Sequence, residues 1–260
     1  MQAAFAAGAP CWFDVTAPDI PASAEFYTAL FGWTAEDQGA EAGHYTILRQ
    51  GDAQVAGIAP AAAPDGSTFP AAWTPYFSVA DAAATVAAAR DAGASVFCEP
   101  MDVFGRLTFA VLTDPAGADY AVAQLITHPG TQNWGGVNGP CWVEYAAPGA
   151  PADAMAHYAK VLGWKHTNAA WETATENPYQ ALSPGSGGHE FGGAHHAQPG
   201  EPAPSWSTTI RVADVDAVVA RAAELGGKLL AEPEDMPGPS RVAALADPAG
   251  AAFAIMSFGA

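Results

Sequence analysis

The chain has 260 residues, half of them apolar and a tenth aromatic, and its 27 acidic and 9 basic residues give a formal net charge of −18. This composition excludes global disorder, and the length suits one large domain or two of ordinary size. The excess of acidic residues argues against binding to nucleic acid or to an anionic membrane. It is compatible with a cationic small-molecule ligand, or with a role in solubility alone.

The N-terminal ten residues lack the pattern of a signal peptide, and no apolar run approaches the ~20 residues that a membrane span needs. The three cysteines, Cys11, Cys98 and Cys141, are odd in number and show no C-x-x-C spacing. They predict neither a disulfide framework nor a zinc site. We therefore expect a cytoplasmic protein.

The first quarter of the chain predicts one helix among four strands. Residues 11–17 have the Trp, Phe and Val content of a strand. A helix follows, with Asp19 as its cap and Gly32 as the residue that ends it after Phe31. Three further strands are predicted at 33–36, 45–49 and 54–59.

The second quarter has the same order of elements. A strand at 74–79 precedes a helix from Asp81 to Ala92, which Gly93 ends. The turn before the last strand has the sequence Asp-Pro-Ala-Gly, at residues 114–117. Strands are predicted at 95–98, 107–113 and 120–125.

The second half of the chain repeats the first. Pro-Cys-Trp-Phe-Asp at 10–14 recurs as Pro-Cys-Trp-Val-Glu at 140–144, and the Asp-Pro-Ala-Gly turn recurs at 247–250. The repeat predicts an α+β fold of four βαβββ modules. We expect two domains, residues 1–127 and 140–260, joined by a linker at 128–139 that is rich in Gly, Asn and Thr.

Several motifs carry a resemblance to a known family: Ala-Glu-Phe-Tyr-Thr-Ala-Leu-Phe-Gly-Trp at 24–33, its copy ending in Leu-Gly-Trp at 162–164, and both Asp-Pro-Ala-Gly turns. With them the chain resembles the vicinal oxygen chelate superfamily, which contains glyoxalase I, extradiol dioxygenases and bleomycin-resistance proteins. More narrowly, it resembles two-domain actinobacterial glyoxalase-like proteins. The resemblance covers roughly residues 9–126 and 139–258. It implies two glyoxalase-like domains with cupped mixed sheets, each enclosing a cavity.

Metal-dependent members of that superfamily carry His and Glu ligands on strands that face the cavity. The resemblance places those positions here at Trp12 and Trp142, Thr74 and Ser207, Ala121 and Ala254, and Gly57 and Gly193. None of these side chains holds a metal well. We therefore expect no cofactor, with a divalent metal as the alternative.

If a metal does bind, the candidates are His189, Glu190, His195 and His196. Adjacent strand residues point to opposite faces, so at most one of the last two histidines can enter the cavity. A solvent-facing histidine at the rim is the favoured interpretation.

Strand periodicity places Trp12 and Asp14 on one face of the first strand, and Trp142 and Glu144 on the matching face of its copy. A tryptophan and a carboxylate two residues apart suit a flat cationic or amine-bearing ligand. Alternatively, the tryptophans fill space and the carboxylates bind backbone groups or Arg. The other ligand-binding candidates are Tyr45, Thr74, Tyr76, Tyr179, Ser207, Thr209 and Arg211.

Two functions remain open. The first is a metal-free binding protein of the bleomycin-resistance type, which sequesters a drug or natural product in a Trp-lined cavity. The second is a glyoxalase-like enzyme: an isomerase, cyclase or lyase with Asp14 or Glu144 as its catalytic base, or a metal-dependent lyase or dioxygenase with unusual ligands. A carboxylate desolvated against indole is a better proton acceptor, which favours the base role. The expected partner is a cationic or aromatic small molecule, and the chain is expected to be a monomer or a homodimer.

Overall fold

The computed structural model describes residues 5–62, 68–173, 175–236 and 240–258. Within these ranges the predicted order of one helix among four strands occurs four times, which confirms the α+β fold of four βαβββ modules. The first half contains β1 (Pro10–Ala17), α1 (Ile20–Phe31), β2 (Thr34–Asp37), β3 (Thr46–Gln50), β4 (Ala53–Pro60), β5 (Ala72–Ser78), α2 (Ala82–Asp91), β6 (Ser95–Val103), β7 (Leu107–Thr113) and β8 (Asp119–Leu125). The second half contains β9 (Gly139–Ala147), α3 (Pro151–Leu162), β10 (Lys165–Asn168), β11 (Gln180–Ser183), β12 (Gly192–His196), β13 (Ser205–Arg211), α4 (Val215–Glu224), β14 (Lys228–Met236), β15 (Ser240–Ala246) and β16 (Ala252–Phe258).

The helix ends carry capping residues, among them the predicted Asp19, Asp81 and Gly32. Asp19, Asp81 and Asp214 begin α1, α2 and α4, and each carboxylate accepts a hydrogen bond from a backbone N–H in the first turn. Gly32 and Gly163 end α1 and α3 in the left-handed conformation, with φ of 72° and 70°. None of the helices in the described part of the chain is long and apolar enough to cross a membrane.

Strand β6 is longer than the predicted 95–98 and continues through Pro100 to Val103. It pairs with β7 through two register shifts, with Cys98 opposite Val111 and Met101 opposite Phe109. The strand lies at the end of its sheet, where a proline on the unpaired side removes no ladder hydrogen bond.

The strands form two mixed sheets of eight, in the orders β2-β3-β4-β1-β5-β8-β7-β6 and β10-β11-β12-β9-β13-β16-β15-β14. Within each module the first and last strands pair in parallel, and the other adjacent strands pair antiparallel. In this register Asp14 lies opposite Gly57, and Glu144 lies opposite Gly193. Asp14 and Glu144 therefore occupy equivalent positions in the two halves, and so do Gly57 and Gly193.

The chain divides into two compact units, and each takes one module from each half of the sequence. The first unit comprises Met1–Trp12, Pro75–Gly130 and Trp142–Trp206, and the second comprises Phe13–Thr74, Thr131–Cys141 and Ser207–Ala260. The segment predicted as a linker is shared between them. In the second unit its end packs on α1, because Trp33 Nε1 donates to the Asn138 carbonyl at 2.8 Å and the Asn138 amide donates to the Phe31 carbonyl at 3.0 Å.

The core of the first unit contains a buried carboxylate from the first Asp-Pro-Ala-Gly turn. Asp114 Oδ1 accepts hydrogen bonds from the three backbone N–H groups of residues 116–118, and Oδ2 accepts from the hydroxyls of Tyr145 and Tyr158 at 2.8 and 3.0 Å. The Trp206 indole donates to Tyr158 at 2.8 Å. Burial, and after it the nearby Asp114 carboxylate, raises the pKa of both tyrosines, which therefore remain donors.

The second unit repeats this arrangement with fewer donors. Asp247 accepts from the backbone N–H groups of Ala249 and Ala251 and, at 3.0 Å, from the hydroxyl of Tyr27. The Trp73 indole donates to Tyr27 at 2.9 Å. Trp73 and its copy Trp206 are core residues in their units.

Candidate functional site

In the first unit, Glu144 is the centre of a hydrogen-bonded group that we call the carboxylate network: Trp142, Glu144, Tyr179, His195 and Glu201. Trp142 Nε1 donates to Glu144 Oε2 at 2.8 Å, and the Tyr179 hydroxyl donates to the same oxygen at 3.1 Å. His195 Nδ1 lies 3.1 Å from the other oxygen, Oε1. Trp142 and Glu144 thus share one face of β9, as strand periodicity predicts.

His195 lies between two carboxylates. Its Nδ1 faces Glu144, and its Nε2 lies 3.0 Å from both oxygens of Glu201. Burial on its own would lower the pKa of His195, but the hydrogen bonds that it donates to the two carboxylates, and their charges, raise it to about 10. At neutral pH the ring is therefore an imidazolium that donates from both nitrogens.

The two adjacent histidines differ in exposure. Only 24% of the His195 side chain is exposed, whereas His196 is exposed and its Nδ1 lies 3.0 Å from the Gly149 carbonyl. Burial raises the pKa of Glu201, but hydrogen bonds from His195 and from the Gln198 backbone lower it overall. The loop after β12 is therefore attached to the carboxylate network through Glu201.

Tyr179 reaches Glu144 because β12 carries a glycine at position 193. A Cβ at that position would overlap the Tyr179 hydroxyl and ring. Burial, and after it the charge of Glu144, raises the pKa of Tyr179, so its hydroxyl stays protonated and donates. The absence of a side chain at Gly193 therefore provides the space that the Tyr179 ring occupies.

Gly193→Ala is expected to displace Tyr179 and to lower the free energy of unfolding by about 1–3 kcal/mol, the usual cost of overpacking. Equilibrium denaturation measures this. Gly149→Ala is the matched control, because a Cβ there would meet open space, and it should change stability by less than about 0.5 kcal/mol. Equal stabilities for the two variants would contradict the packing of Tyr179 on Gly193.

A pocket of about 500 Å³ lies beside the carboxylate network in the first unit. Its aromatic wall is Trp171, which is 48% exposed and lies 4.9 Å, between ring centroids, from Tyr179. The Glu172 carboxylate accepts from the Tyr179 backbone N–H at 2.9 Å. The lining residues are Trp171, Glu172, Glu176, Asn177, Tyr179, His195, His196 and Gln198. The pocket is therefore lined by both aromatic rings and carboxylates.

The first half of the chain has an incomplete copy of the network. In the second unit, the Tyr45 hydroxyl donates to Asp14 Oδ1 at 2.6 Å, and a Cβ at Gly57 would overlap that hydroxyl. Asp14 is 7% exposed. The strand register places Ala59 where the other copy has His195, so this copy has no imidazolium.

Trp12 lies in the core of the first unit and is only 2% exposed. The ring of His128 packs edge-on against it at 4.6 Å, and His128 Nδ1 accepts from the Gly130 N–H. Burial, and after it the charge of Arg106, lowers the pKa of His128 to about 4. The two candidate tryptophans therefore differ, since Trp142 is half-buried and belongs to the carboxylate network.

The remaining candidate residues lie on β5 and β13. Thr74 and Ser207 are half-buried, and Tyr76 and Thr209 are buried. Arg211, at the end of β13, donates from Nη1 to the Gly135 carbonyl at 2.9 Å. The structure does not bring these five side chains to the pocket.

The donors present do not fit a divalent metal in the manner of the superfamily's metal-dependent members. In the ranges described, no group of three His, Cys, Asp or Glu side chains is arranged to hold a metal ion. His189 and Glu190 are exposed, and both nitrogens of His195 face carboxylates. The closing-strand positions hold Ala121, opposite Tyr76, and Ala254, opposite Thr209.

Comparison with known proteins identifies the family. The model of the Glyoxalase/Bleomycin resistance protein/Dioxygenase superfamily matches residues 11–122 and 146–255. The chain belongs to this superfamily. Within it, the chain is similar to the anthracycline biosynthesis protein DnrV of Streptomyces peucetius, with 38% identity over 97% of this chain and 94% of that protein. It is also similar to the putative glyoxylase CFP32 of Mycobacterium tuberculosis, with 34% identity over 96% of this chain and 94% of that protein.

Solved structures of the superfamily share the fold. The Mn(II)-bound glyoxalase from Novosphingobium aromaticivorans aligns with a TM-score of 0.64 and 14% identity, over 97% of this chain and 82% of that one. The 2,3-dioxygenase LapB from Pseudomonas sp. KL28 aligns with a TM-score of 0.63 and 13% identity, over 98% and 94% of the two chains. At these identities the likeness concerns the fold alone.

Six residues around the pocket and the network were not among the predicted candidates: Trp171, Glu172, Glu176, Asn177, Gln198 and Glu201. The first four lie between β10 and β11, and the last two follow β12, in segments without strand or helix periodicity. A signal that could have indicated Glu201 is its six-residue separation from His195 across Pro199-Gly200, which allows the chain to turn back to the histidine.

Proposed function

We propose that this protein binds a flat, amine-bearing aromatic small molecule in the pocket beside the carboxylate network, without a metal. The observation that carries the proposal is the pocket itself. Its volume of about 500 Å³ is in the usual range for small-molecule sites, and it combines the Trp171–Tyr179 wall with the carboxylates of Glu172 and Glu176.

The charges around the pocket favour a cation. Glu172 and Glu176 line the pocket, and Glu201 lies beside the imidazolium of His195 at its edge. An ammonium group over an exposed indole gains about 0.5–2 kcal/mol, and carboxylates nearby add to this. The net charge of −18 attracts cations to the molecule at long range.

The relatives support a ring system as the flat part of the ligand. DnrV and DauV, the latter from Streptomyces sp. (strain C5) and 37% identical, are both described as anthracycline biosynthesis proteins. Anthracyclines are fused aromatic rings, many of which carry an amino sugar, so they combine the two features that the pocket favours. We accordingly propose an anthracycline-like natural product as the ligand class, and a role in handling such a product rather than in resistance to bleomycin.

The second candidate function is a metal-independent isomerase, cyclase or lyase in which Glu144 is the base. The chain of proton-holding groups from Glu144 through His195 to Glu201 favours it. Against it, three donors already occupy the Glu144 carboxylate, which leaves it poorly placed to take a proton from a ligand. In an enzyme, Glu144→Gln would abolish turnover and leave affinity nearly intact.

Isothermal titration calorimetry with an amino-sugar anthracycline and with its aglycone tests the proposal. Trp171→Ala is expected to weaken binding of the amino-sugar compound about 2- to 30-fold, the loss of one stacked cation. Trp134→Ala is the matched control: it is similarly exposed but stacks on Phe13 in the second unit. It should leave affinity unchanged.

Glu176→Gln is expected to weaken binding of the amino-sugar compound severalfold and to leave the aglycone unaffected, because only the former is cationic. Equal affinities of the wild-type protein for the two compounds would refute the cation part of the proposal. Equal affinities of the two tryptophan variants would refute its location.

A further inference from the structure

A cleft of about 1020 Å³ lies in the second unit, between α1 and the edge of the first sheet. We call it the α1 cleft. The side chains that line it include Ile20, Pro21 and Ala24 of α1, Ala35 and Asp37 of β2, and His44 of the loop between β2 and β3.

The α1 cleft lies on the face of the sheet opposite to Asp14. The Tyr45 hydroxyl reaches Asp14 on one face, and Thr46 points to the other face because successive side chains of a strand alternate. Thr46 is paired with Asp37 of β2, and both line the cleft. The sheet therefore separates the cleft from the face that carries the candidate carboxylate.

The walls of the cleft are aliphatic. Ile20 and Pro60 contribute larger side chains, and the small side chains of Ala24 and Ala35 leave space between α1 and β2. Among the described residues that line the cleft, Phe69 has the only benzene ring. The pocket beside the carboxylate network has an aromatic wall of two rings instead. The α1 cleft therefore suits an alkyl chain better than a flat ring system.

The charged groups of the lining are acidic. Asp19 and Asp37 line the cleft, and neither forms an ion pair with Lys or Arg in the described part of the chain. Asp37 lies 3.0 Å from His44 Nδ1 and accepts from the Gly39 N–H at 2.8 Å. The hydrogen bond from His44, and after it the one from Gly39, lowers the pKa of Asp37, which is therefore ionised at neutral pH.

His44 supplies a second acceptor beside Asp37. Its φ of 60° is left-handed, which is uncommon for a residue other than glycine, and its N–H donates to the Gly39 carbonyl at 2.9 Å. A neutral ring that donates from Nδ1 to Asp37 has Nε2 as an acceptor. No hydrogen bond to Nε2 occurs within the described ranges. One end of the cleft therefore offers an ammonium group a carboxylate and an imidazole nitrogen.

We propose that the α1 cleft binds a primary aliphatic amine. The alkyl chain lies between α1 and β2, and the ammonium group donates to the Asp37 carboxylate and to His44 Nε2. Charge complementarity selects a cation, because the acids of the lining face no Lys or Arg among the described residues. The site is independent of the proposed function: it lies in the other unit and takes an alkyl chain in place of aromatic rings.

Titration with octylamine, followed by the NMR shifts of the Gly43 and His44 backbone amides, tests this site, with octanol as the uncharged probe. The wild type should bind the amine about two- to fivefold more tightly than the alcohol, the range for an exposed ion pair. Asp37→Asn should remove this preference and leave octanol binding unchanged. Asp52→Asn is the matched control, because that aspartate is exposed and lies outside the cleft, and it should keep the preference.

Ala24→Phe tests the location. It should weaken binding of both probes about tenfold or more, because the ring displaces at least two methylene groups of the chain. Ala29→Phe is its control, since Ala29 is exposed on α1 and does not line the cleft. Asp37→Asn keeps the test valid if Ala24→Phe does not fold.

The proposal is overturned if octylamine does not shift the two amides, if octanol binds the wild type as tightly, or if folded Ala24→Phe binds octylamine like the wild type. It is also overturned if Asp37→Asn keeps the preference for the amine. The affinity for an amino-sugar anthracycline should not change in Ala24→Phe, so failure of this proposal is distinguishable from failure of the proposed function.

Discussion

Replacement of Asp114 by alanine is expected to lower the free energy of unfolding by about 3–5 kcal/mol. The residue is 5% exposed and its carboxylate accepts five hydrogen bonds, two of them from the buried hydroxyls of Tyr145 and Tyr158. Its removal leaves these donors without an acceptor, and bonds to a charged group contribute about 1.5–3 kcal/mol each. Denaturant unfolding followed by circular dichroism measures the loss, as a lower midpoint at constant slope.

Two other aspartates provide the controls. Asp119→Ala removes an exposed carboxylate that binds the Thr113 hydroxyl, and should cost less than about 0.5 kcal/mol. Asp247→Ala, with three donors rather than five, should cost less than Asp114→Ala. If Asp114→Ala destabilised the protein no more than Asp119→Ala, the Asp-Pro-Ala-Gly turn would not be the structural centre that we describe.

The stabilising effect of His195 is expected to depend on pH in a defined window. The pKa of His195 is about 10 in the folded chain against an ordinary value of 6.5, so protonation favours the folded state. The contribution is fully present below about pH 6.5 and is lost as the pH rises towards 10. Its size at the plateau is at most about 5 kcal/mol. A second loss of stability is expected at acidic pH. The Glu201 carboxylate, whose pKa is lowered in the folded chain, stabilises the fold only while it is ionised, so its contribution is lost as the pH falls through that lowered pKa.

Comparison of the wild type with His195→Gln between about pH 5 and pH 10 isolates this effect, because other titrating groups are common to both proteins. The difference in unfolding free energy should be largest near about pH 6 and shrink steadily above it. Glu201→Gln should lower the pKa of His195, measured by NMR titration of the ring, because one of the two carboxylates that raise it is gone. A His195 pKa near the ordinary value of 6.5 in the wild type would show that the imidazolium does not lie between Glu144 and Glu201.

Most of the fold could be predicted from local signals. The capping residues Asp19, Asp81 and Gly32 act within a few residues, and the internal repeat extends the same order of helices and strands to the second half of the chain. The role of Asp114 could not be predicted, since a turn aspartate and a buried acceptor have the same local sequence. The difference lies in Tyr145 and Tyr158, which approach it only after the chain has folded.

The candidate site was predicted in part, for the same reason. Period-two alternation places Trp142 beside Glu144, and the repeat relates Tyr179 to Tyr45. Alternation gives no information on which loop covers a strand, so the attachment of Glu201 to His195 could not be foreseen. The burial of Trp12 depends on His128, which is distant in sequence and lies in the segment expected to be a linker.

The interleaving of the two units has a consequence for synthesis on the ribosome. The first unit needs residues up to Trp206 and the second needs the strands that follow Ser207, although both begin within the first 13 residues. A nascent chain of which only the first repeat has emerged therefore contains part of each hydrophobic core and completes neither. Long-range partners of this kind slow folding and leave apolar surface exposed meanwhile. We expect such a chain to depend on chaperones until translation is nearly complete, and a chain truncated after the first repeat to aggregate rather than to fold as a smaller protein.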